Sequence, residues 1–164
     1  MKEGTFLTLP RKGIFHVRNI ETERVFDVVC TMCRGVFLHP HELDASFLHD
    51  RLTANNARSP APLEALHAAL RELDKPQTKG GMGSWGKGEK IFNARLQAGQ
   101  PTDNAFVIRQ LFNINSRRSP SGFTLYQDAL RCLASEYAFV AEVPYPEAER
   151  CIKDRLVSAH VQAT

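Results

Sequence analysis

The chain's only tryptophan, Trp85, stands among Gly81, Gly83, Gly86 and Gly88 and among Lys79, Lys87 and Lys90. A core indole normally sits inside an apolar run, because so large a surface needs neighbours on every side to leave water. Here Met82 alone supplies an apolar side chain nearby, and Ser84 offers an N-cap oxygen for a helix that would begin at the Trp. An aromatic face with cations close by suits nucleic acid: the ring stacks on or wedges beside a base while ammonium groups meet phosphates. The competing reading is a Trp that folds back over the end of a small helical core. A second basic pair, Arg117-Arg118 before Ser119, is either a solvated corner or joins Lys87 and Lys90 in a phosphate-gripping rim near Trp85.

Cys30-Thr31-Met32-Cys33 followed by His39-Pro40-His41 contains four possible zinc ligands. A closed zinc site wants its ligands on two knuckles, and alternation along a strand would send Cys30 and Cys33 to opposite faces. Packed or edge thiols are therefore the preferred reading, and no metal or other cofactor is expected. Catalysis by a Ser or Cys needs a base in reach and a third group to orient it. The chain has no nucleophile elbow, P-loop or dinucleotide fingerprint, and Gly80-Gly81-Met82-Gly83 lacks the strand before it and the Lys-Ser/Thr after it that phosphate binding requires. A non-enzyme without a small-molecule substrate is expected.

The elements that must position these residues change character halfway along the chain. Phe6-Leu7-Thr8-Leu9, Ile14-Phe15-His16-Val17, Val25 to Val29 and Gly35 to His39 are short runs rich in β-branched and aromatic residues, separated by turn-forming stretches such as Pro10-Arg11-Lys12-Gly13. They predict a small, bent antiparallel module of the SH3 or Tudor sort over residues 1–57. After Ser59-Pro60, Leu63, Leu66, Leu70 and Leu73 mark a short amphipathic helix, and a Gly-rich linker completes 58–83. Residues 84–164 then predict a helical domain with helices over 84–97, 101–115, 119–142 and 145–160. Gly99 reads as a C-cap, Pro101 as a helix start, and Ser119-Pro120 as a cap followed by a first-turn proline. The fold class is α+β: a small antiparallel Tudor/SH3-like β-module followed by an all-helical domain of four to five helices.

With 43% hydrophobic and 24% charged residues the composition is that of a globular protein rather than a disordered one. The net charge of +3 is too small to mark a nucleic-acid binder by itself, so any such contact must come from local clustering. No long apolar run or apolar leader is present, so a cytoplasmic protein with no membrane partner is expected, in which free thiols are the default.

Taken together, these residues resemble a known family. The order Gly4-x-x-x-x-Leu9-Pro10-x-x-Gly13-Ile14, then Ile20-Glu21-Thr22, then Val36-Phe37-Leu38-His39-Pro40 is similar to the RNA-polymerase-interacting module of CarD and CdnL regulators, found also in transcription-repair coupling factors. In the second half Trp85, Leu96-x-x-Gly99, Val107-Ile108-Arg109-x-Leu111 and Ala129-x-x-x-Leu133-x-Ser135-Glu136-x-Ala138 resemble the helical DNA-binding part of the stand-alone members. The resemblance implies a Tudor-like module that adds a sheet edge to the RNA polymerase β subunit. It also implies a helical domain on promoter DNA at the upstream edge of the bubble, where the Trp wedges in the minor groove and stabilises the open complex. By position, Trp85, Lys87 and Lys90 would contact DNA, with Arg117 and Arg118 beside them, and Arg24, Phe37, Leu38 and His39 would face the polymerase. Where the family has two adjacent Arg and an aromatic soon after the Trp, this chain has Gly86-Lys87-Gly88-Glu89. Each Gly costs a helix about 1 kcal/mol relative to Ala.

Two other classes compete with that reading. One is a polymerase-binding adaptor or antagonist that keeps the docking module without the DNA wedge. The other is a small zinc-binding protein using Cys30, Cys33, His39 and His41.

Overall fold

The computed structural model describes residues 6–16, 24–25, 43–44, 56–77, 85–112 and 119–162. Strands β1 (Phe6–Leu9) and β2 (Gly13–His16) form an antiparallel hairpin in which Phe6 lies opposite His16 and Leu9 opposite Gly13. Two shorter strands, β3 (Arg24–Val25) and β4 (Leu43–Asp44), pair antiparallel as a second ribbon. Five helices complete the described residues: α1 (Leu63–Leu73), α2 (Trp85–Ala98), α3 (Pro101–Leu111), α4 (Pro120–Val140) and α5 (Tyr145–Gln162). The described chain is mostly helical, with small antiparallel pairs in its N-terminal part. The strand expected at 35–39 lies outside the described residues, and β4 was not foreseen.

Local chemistry accounts for the helix boundaries. Ser119 caps α4 by accepting the Gly122 N–H at 3.0 Å, and Pro120 occupies the first turn, where its missing donor costs nothing. Pro101 opens α3 in the same way. Gly99 ends α2 in the left-handed region at φ 68°, and its N–H reaches Arg95 O at 3.3 Å. α4 closes with Glu142 left-handed at φ 56° and Val143 N–H on Ala138 O at 3.1 Å. α3 stops at Leu111, short of the expected residue 115, with Phe112 as its C-cap.

The core lies among the helices. α3 is central and packs most extensively on α1 and α4, and α4 in turn on α5. Leu66, Ala69, Leu70 and Leu73 of α1, Phe92 and Leu96 of α2, Val107, Ile108 and Leu111 of α3, Leu130 and Leu133 of α4, and Ile152 of α5 are all buried together. The connecting stretch 58–83 thus supplies a wall of the core through α1. Two residues expected on apolar faces stay wet: Ile91 is 42% exposed and Phe123 52%. Ile91 lies a quarter turn away from Phe92, outside the Gly88, Phe92, Leu96 stripe that packs. Phe123 shares the face of the buried Tyr126 and Leu130 but precedes them near the start of α4.

The hairpin lies along α4 and is part of this body. Phe6 packs on Phe139 with ring centroids 4.5 Å apart, and Ile14 is fully buried. Gly13, at φ 97°, meets Ser135 so closely that a Cβ would stand 2.8 Å from its Oγ. On the other edge of β1, Thr8 exchanges backbone hydrogen bonds with Arg58 at 2.7 and 3.1 Å.

Candidate nucleic-acid interface

Trp85 is the first residue of α2 and is 38% exposed. Its ring leans on Phe92 with centroids 6.2 Å apart and planes tilted by 50°, a favourable aromatic arrangement. The indole therefore closes the end of the stripe formed by Gly88, Phe92 and Leu96 while keeping part of its surface open. It combines the two alternatives posed by the sequence: it caps a core and presents an edge.

Lys87 and Lys90 are exposed and have no ion-pair partner among the described residues. The cations elsewhere are mostly committed: Arg11, Arg58, Arg95, Arg109 and Arg131 each pair with a carboxylate. The expected ring of cations around the indole does not form on α2, however. At 3.6 residues per turn, Lys87 lies about 160° and Lys90 about 140° from Trp85 around the axis. The helical neighbours of Trp85 are instead the buried Gly88 and the half-buried Glu89. Closeness in sequence misled here because consecutive helix residues fan out. The first turn carries no acid, so the positive end of the helix dipole and both lysines still make this end of α2 attractive to phosphate.

Gly86 has no described heavy atom within 4 Å of where a Cβ would stand. Around the axis the order is Trp85, Glu89, Gly86, Lys90, Lys87, so the surface between the indole and the nearer lysine carries a carboxylate as well as the glycine.

Residues far apart in sequence hold α2 by its other half. Pro10 and Arg11 form the centre of the hairpin turn, closed by Lys12 N–H on Leu9 O at 3.1 Å. Arg11 takes the positive φ of 61° that such a turn needs at its second central residue. That conformation is unfavourable for a side chain larger than glycine. It is held because the Arg11 guanidinium forks onto Asp128 Oδ2 of α4 at 2.9 and 2.7 Å and reaches Asn93 Oδ1 of α2 at 3.3 Å. Pro10 packs on Gly99, where a Cβ would stand 2.9 Å from its Cγ. Arg58 donates to Gly99 O through Nε and Nη2 at 3.0 and 2.8 Å, placing a cation at the negative end of the α2 dipole. Arg95 pairs with Asp103 at 2.6 Å and covers the Phe106 ring at 4.2 Å, stitching α2 to α3.

Behind Gly99 lies a fully buried carboxylate, Glu136. It accepts from Arg58 at 2.5 and 2.8 Å, from Ala61 N–H at 2.7 Å and from Thr8 Oγ1 at 3.3 Å. Its desolvation is thus met by four donor groups on three residues. The sequence marked Glu136 only within a family motif and did not reveal its partner 78 residues away. Nearby, burial foremost, and the Asp128 carboxylate after it, push the Cys132 thiol from its ordinary 9.0 up to about 12, so it is an inert packed thiol.

Arg24 opens β3 opposite Asp44. Phe37, Leu38, His39, Arg117 and Arg118 lie outside the described residues, as do Cys30, Cys33 and His41. Among the described residues no group of three or more His, Cys, Asp and Glu is placed to hold a metal ion, and no helix is long and apolar enough to cross a membrane. Compared with known proteins, the chain matches no family model and no curated relative.

Proposed function

We propose that this protein is a non-catalytic, cytoplasmic regulator of transcription. It docks on the RNA polymerase β subunit through a Tudor-like N-terminal module and stabilises the promoter open complex by placing Trp85 at the upstream edge of the bubble. The observation that carries this reading is the partly exposed Trp85 at the first turn of α2, followed on the same helix by two exposed lysines with no ion-pair partner among the described residues. Lys87 and Lys90, on the side of α2 away from the indole, supply phosphate contacts, and Arg117 and Arg118 add to that grip. Arg24, Phe37, Leu38 and His39 form the polymerase face. An indole on an unstacked base step returns about 1–3 kcal/mol of stacking. At about 1.4 kcal/mol per decade, that shifts an opening equilibrium roughly tenfold.

The test is open-complex lifetime on a weak promoter with the cognate polymerase, comparing wild-type protein, Trp85→Ala and no addition. Wild-type protein is expected to lengthen the lifetime about tenfold, and Trp85→Ala to return it to the unassisted value. A second reading, an adaptor that binds polymerase without a DNA wedge, is favoured by one observation: the indole rests on Phe92 and has Glu89 as a helical neighbour. Polymerase binding with no change in lifetime would select the adaptor.

A further inference from the structure

Among the described residues three other than glycine hold a left-handed backbone, and two of them, Arg11 at φ 61° and Asn56 at φ 56°, reach the same strip of α2. Arg11 Nη1 donates to Asn93 Oδ1 at 3.3 Å, and Asn56 Nδ2 donates to Gln97 O, one turn further along, at 2.8 Å. Backbone of this kind persists where its surroundings over-determine it. For Arg11 they do: Asp128 Oδ2 accepts from both Nε and Nη2, so the guanidinium is already aimed when it meets α2. Asn93 passes the constraint on, because its Nδ2 donates to Glu89 O at 2.9 Å and Glu89 stands one turn from Trp85. Asp128, Arg11, Asn93 and the Glu89 carbonyl thus form a polar line from α4, through the hairpin turn, into the turn of α2 that begins at the indole. The ties at Arg95, Gln97 and Gly99 lie further from the indole. Burial of Phe92 and Leu96 holds α2 on the core without direction, whereas hydrogen bonds fix its rotation about its own axis.

We propose that Arg11 is a positioning residue for Trp85: acting through Asn93, it sets the rotation of α2 against the hairpin, and so the direction in which the indole faces. The hairpin belongs to the segment assigned to polymerase docking, so Arg11 carries the orientation of the docked module to the indole. That second step rests on the proposed roles of the N-terminal module and of Trp85; the first is a property of the free protein.

The experiment compares full-length wild type, Arg11→Gly, Asn93→Ala, the double variant and Arg71→Gln, Arg71 being an exposed cation on α1. Glycine suits the φ of 61°, so Arg11→Gly removes the guanidinium and keeps the turn. Asn93→Ala leaves the fork onto Asp128 in place and cuts the tie to α2, and it carries the test alone if Arg11→Gly does not fold. The single tryptophan reads the indole directly, well below the unfolding temperature and with circular dichroism as the check on folding. Acrylamide quenching is expected to rise about twofold in each single variant and no further in the double variant, as for two members of one line. Arg71→Gln should match wild type. On a weak promoter with the cognate polymerase, both single variants are expected to bind polymerase as wild type does and to lose most of the gain in open-complex lifetime. Quenching unchanged in both, or raised in Arg11→Gly alone, overturns the assignment, as do rises that add in the double variant. Lifetimes that stay at the wild-type value while quenching rises overturn the transfer of orientation. If quenching rises as expected but wild type itself does not lengthen the lifetime, the DNA reading of Trp85 fails and the positioning of the indole by Arg11 stands.

Discussion

Trp85 and Cys132 show how little a residue's type says until its surroundings are known. Both are large or polarisable apolar groups, yet one keeps an open edge and the other is sealed against β2 and its neighbours on α4. The sealed thiol makes the stability of the protein pH-dependent in the alkaline range. Its folded-state pKa of about 12 lies above the ordinary 9.0, so the folded chain keeps a proton that the unfolded chain releases. The stabilisation is complete below the lower value and is lost as pH rises towards the upper one. Urea midpoints measured at about pH 8 and about pH 10 are expected to fall further for wild type than for Cys132→Ala. An identical fall in both would show that the thiol keeps no proton advantage. At the same scale the sequence was legible for Ser119, Gly99 and Pro101, whose roles are set by backbone geometry within a few residues. It was misleading for Phe123 and Ile91. Spacing decides which face a residue occupies, whereas how far the neighbouring elements reach along that face is decided elsewhere in the chain.

Between elements, charge adds connections to those that the apolar core makes among the helices. Arg58 and Glu136 join the segment behind β1 to α4 and to the end of α2, and Arg11 joins the hairpin turn to α2 and α4. Glu136 is fully buried and Arg58 mostly so, and removing the carboxylate leaves the guanidinium uncompensated. Glu136→Gln is therefore expected to destabilise by about 3–5 kcal/mol in urea unfolding, several times the effect of a surface pair. A loss below about 1 kcal/mol would mean that Arg58 finds equivalent acceptors without the carboxylate. None of this was legible beforehand. Periodicity gives α1, α2, α3, α4 and α5 their inner faces, because that information is local. The choice of Glu136 as partner for Arg58 is a property of how helices are stacked, and no spacing along the chain encodes it.

For the whole molecule, the helical half was readable as helices but not as an independent body. Leu66, Ala69, Leu70 and Leu73 of α1 belong to the same core as α3, α4 and α5. Burying a leucine contributes about 1.5–3 kcal/mol, comparable in sum to the net stability of a small domain. A fragment of residues 84–164 is therefore expected to lose cooperative thermal unfolding by circular dichroism, while one that begins at residue 56 retains α1 and should keep a measurable transition. A sharp transition in the shorter fragment would show that α1 is dispensable. The hairpin carries a consequence for biosynthesis. Phe6 rests on Phe139, and Thr8 donates to Glu136, 128 residues further along the chain. Translation delivers the hairpin first and its seat on α4 near the end, so through most of synthesis the nascent chain carries Phe6 and Ile14 with nowhere to bury them. The ribosome-bound intermediate is thus the stage at which this protein is most open to capture by chaperones.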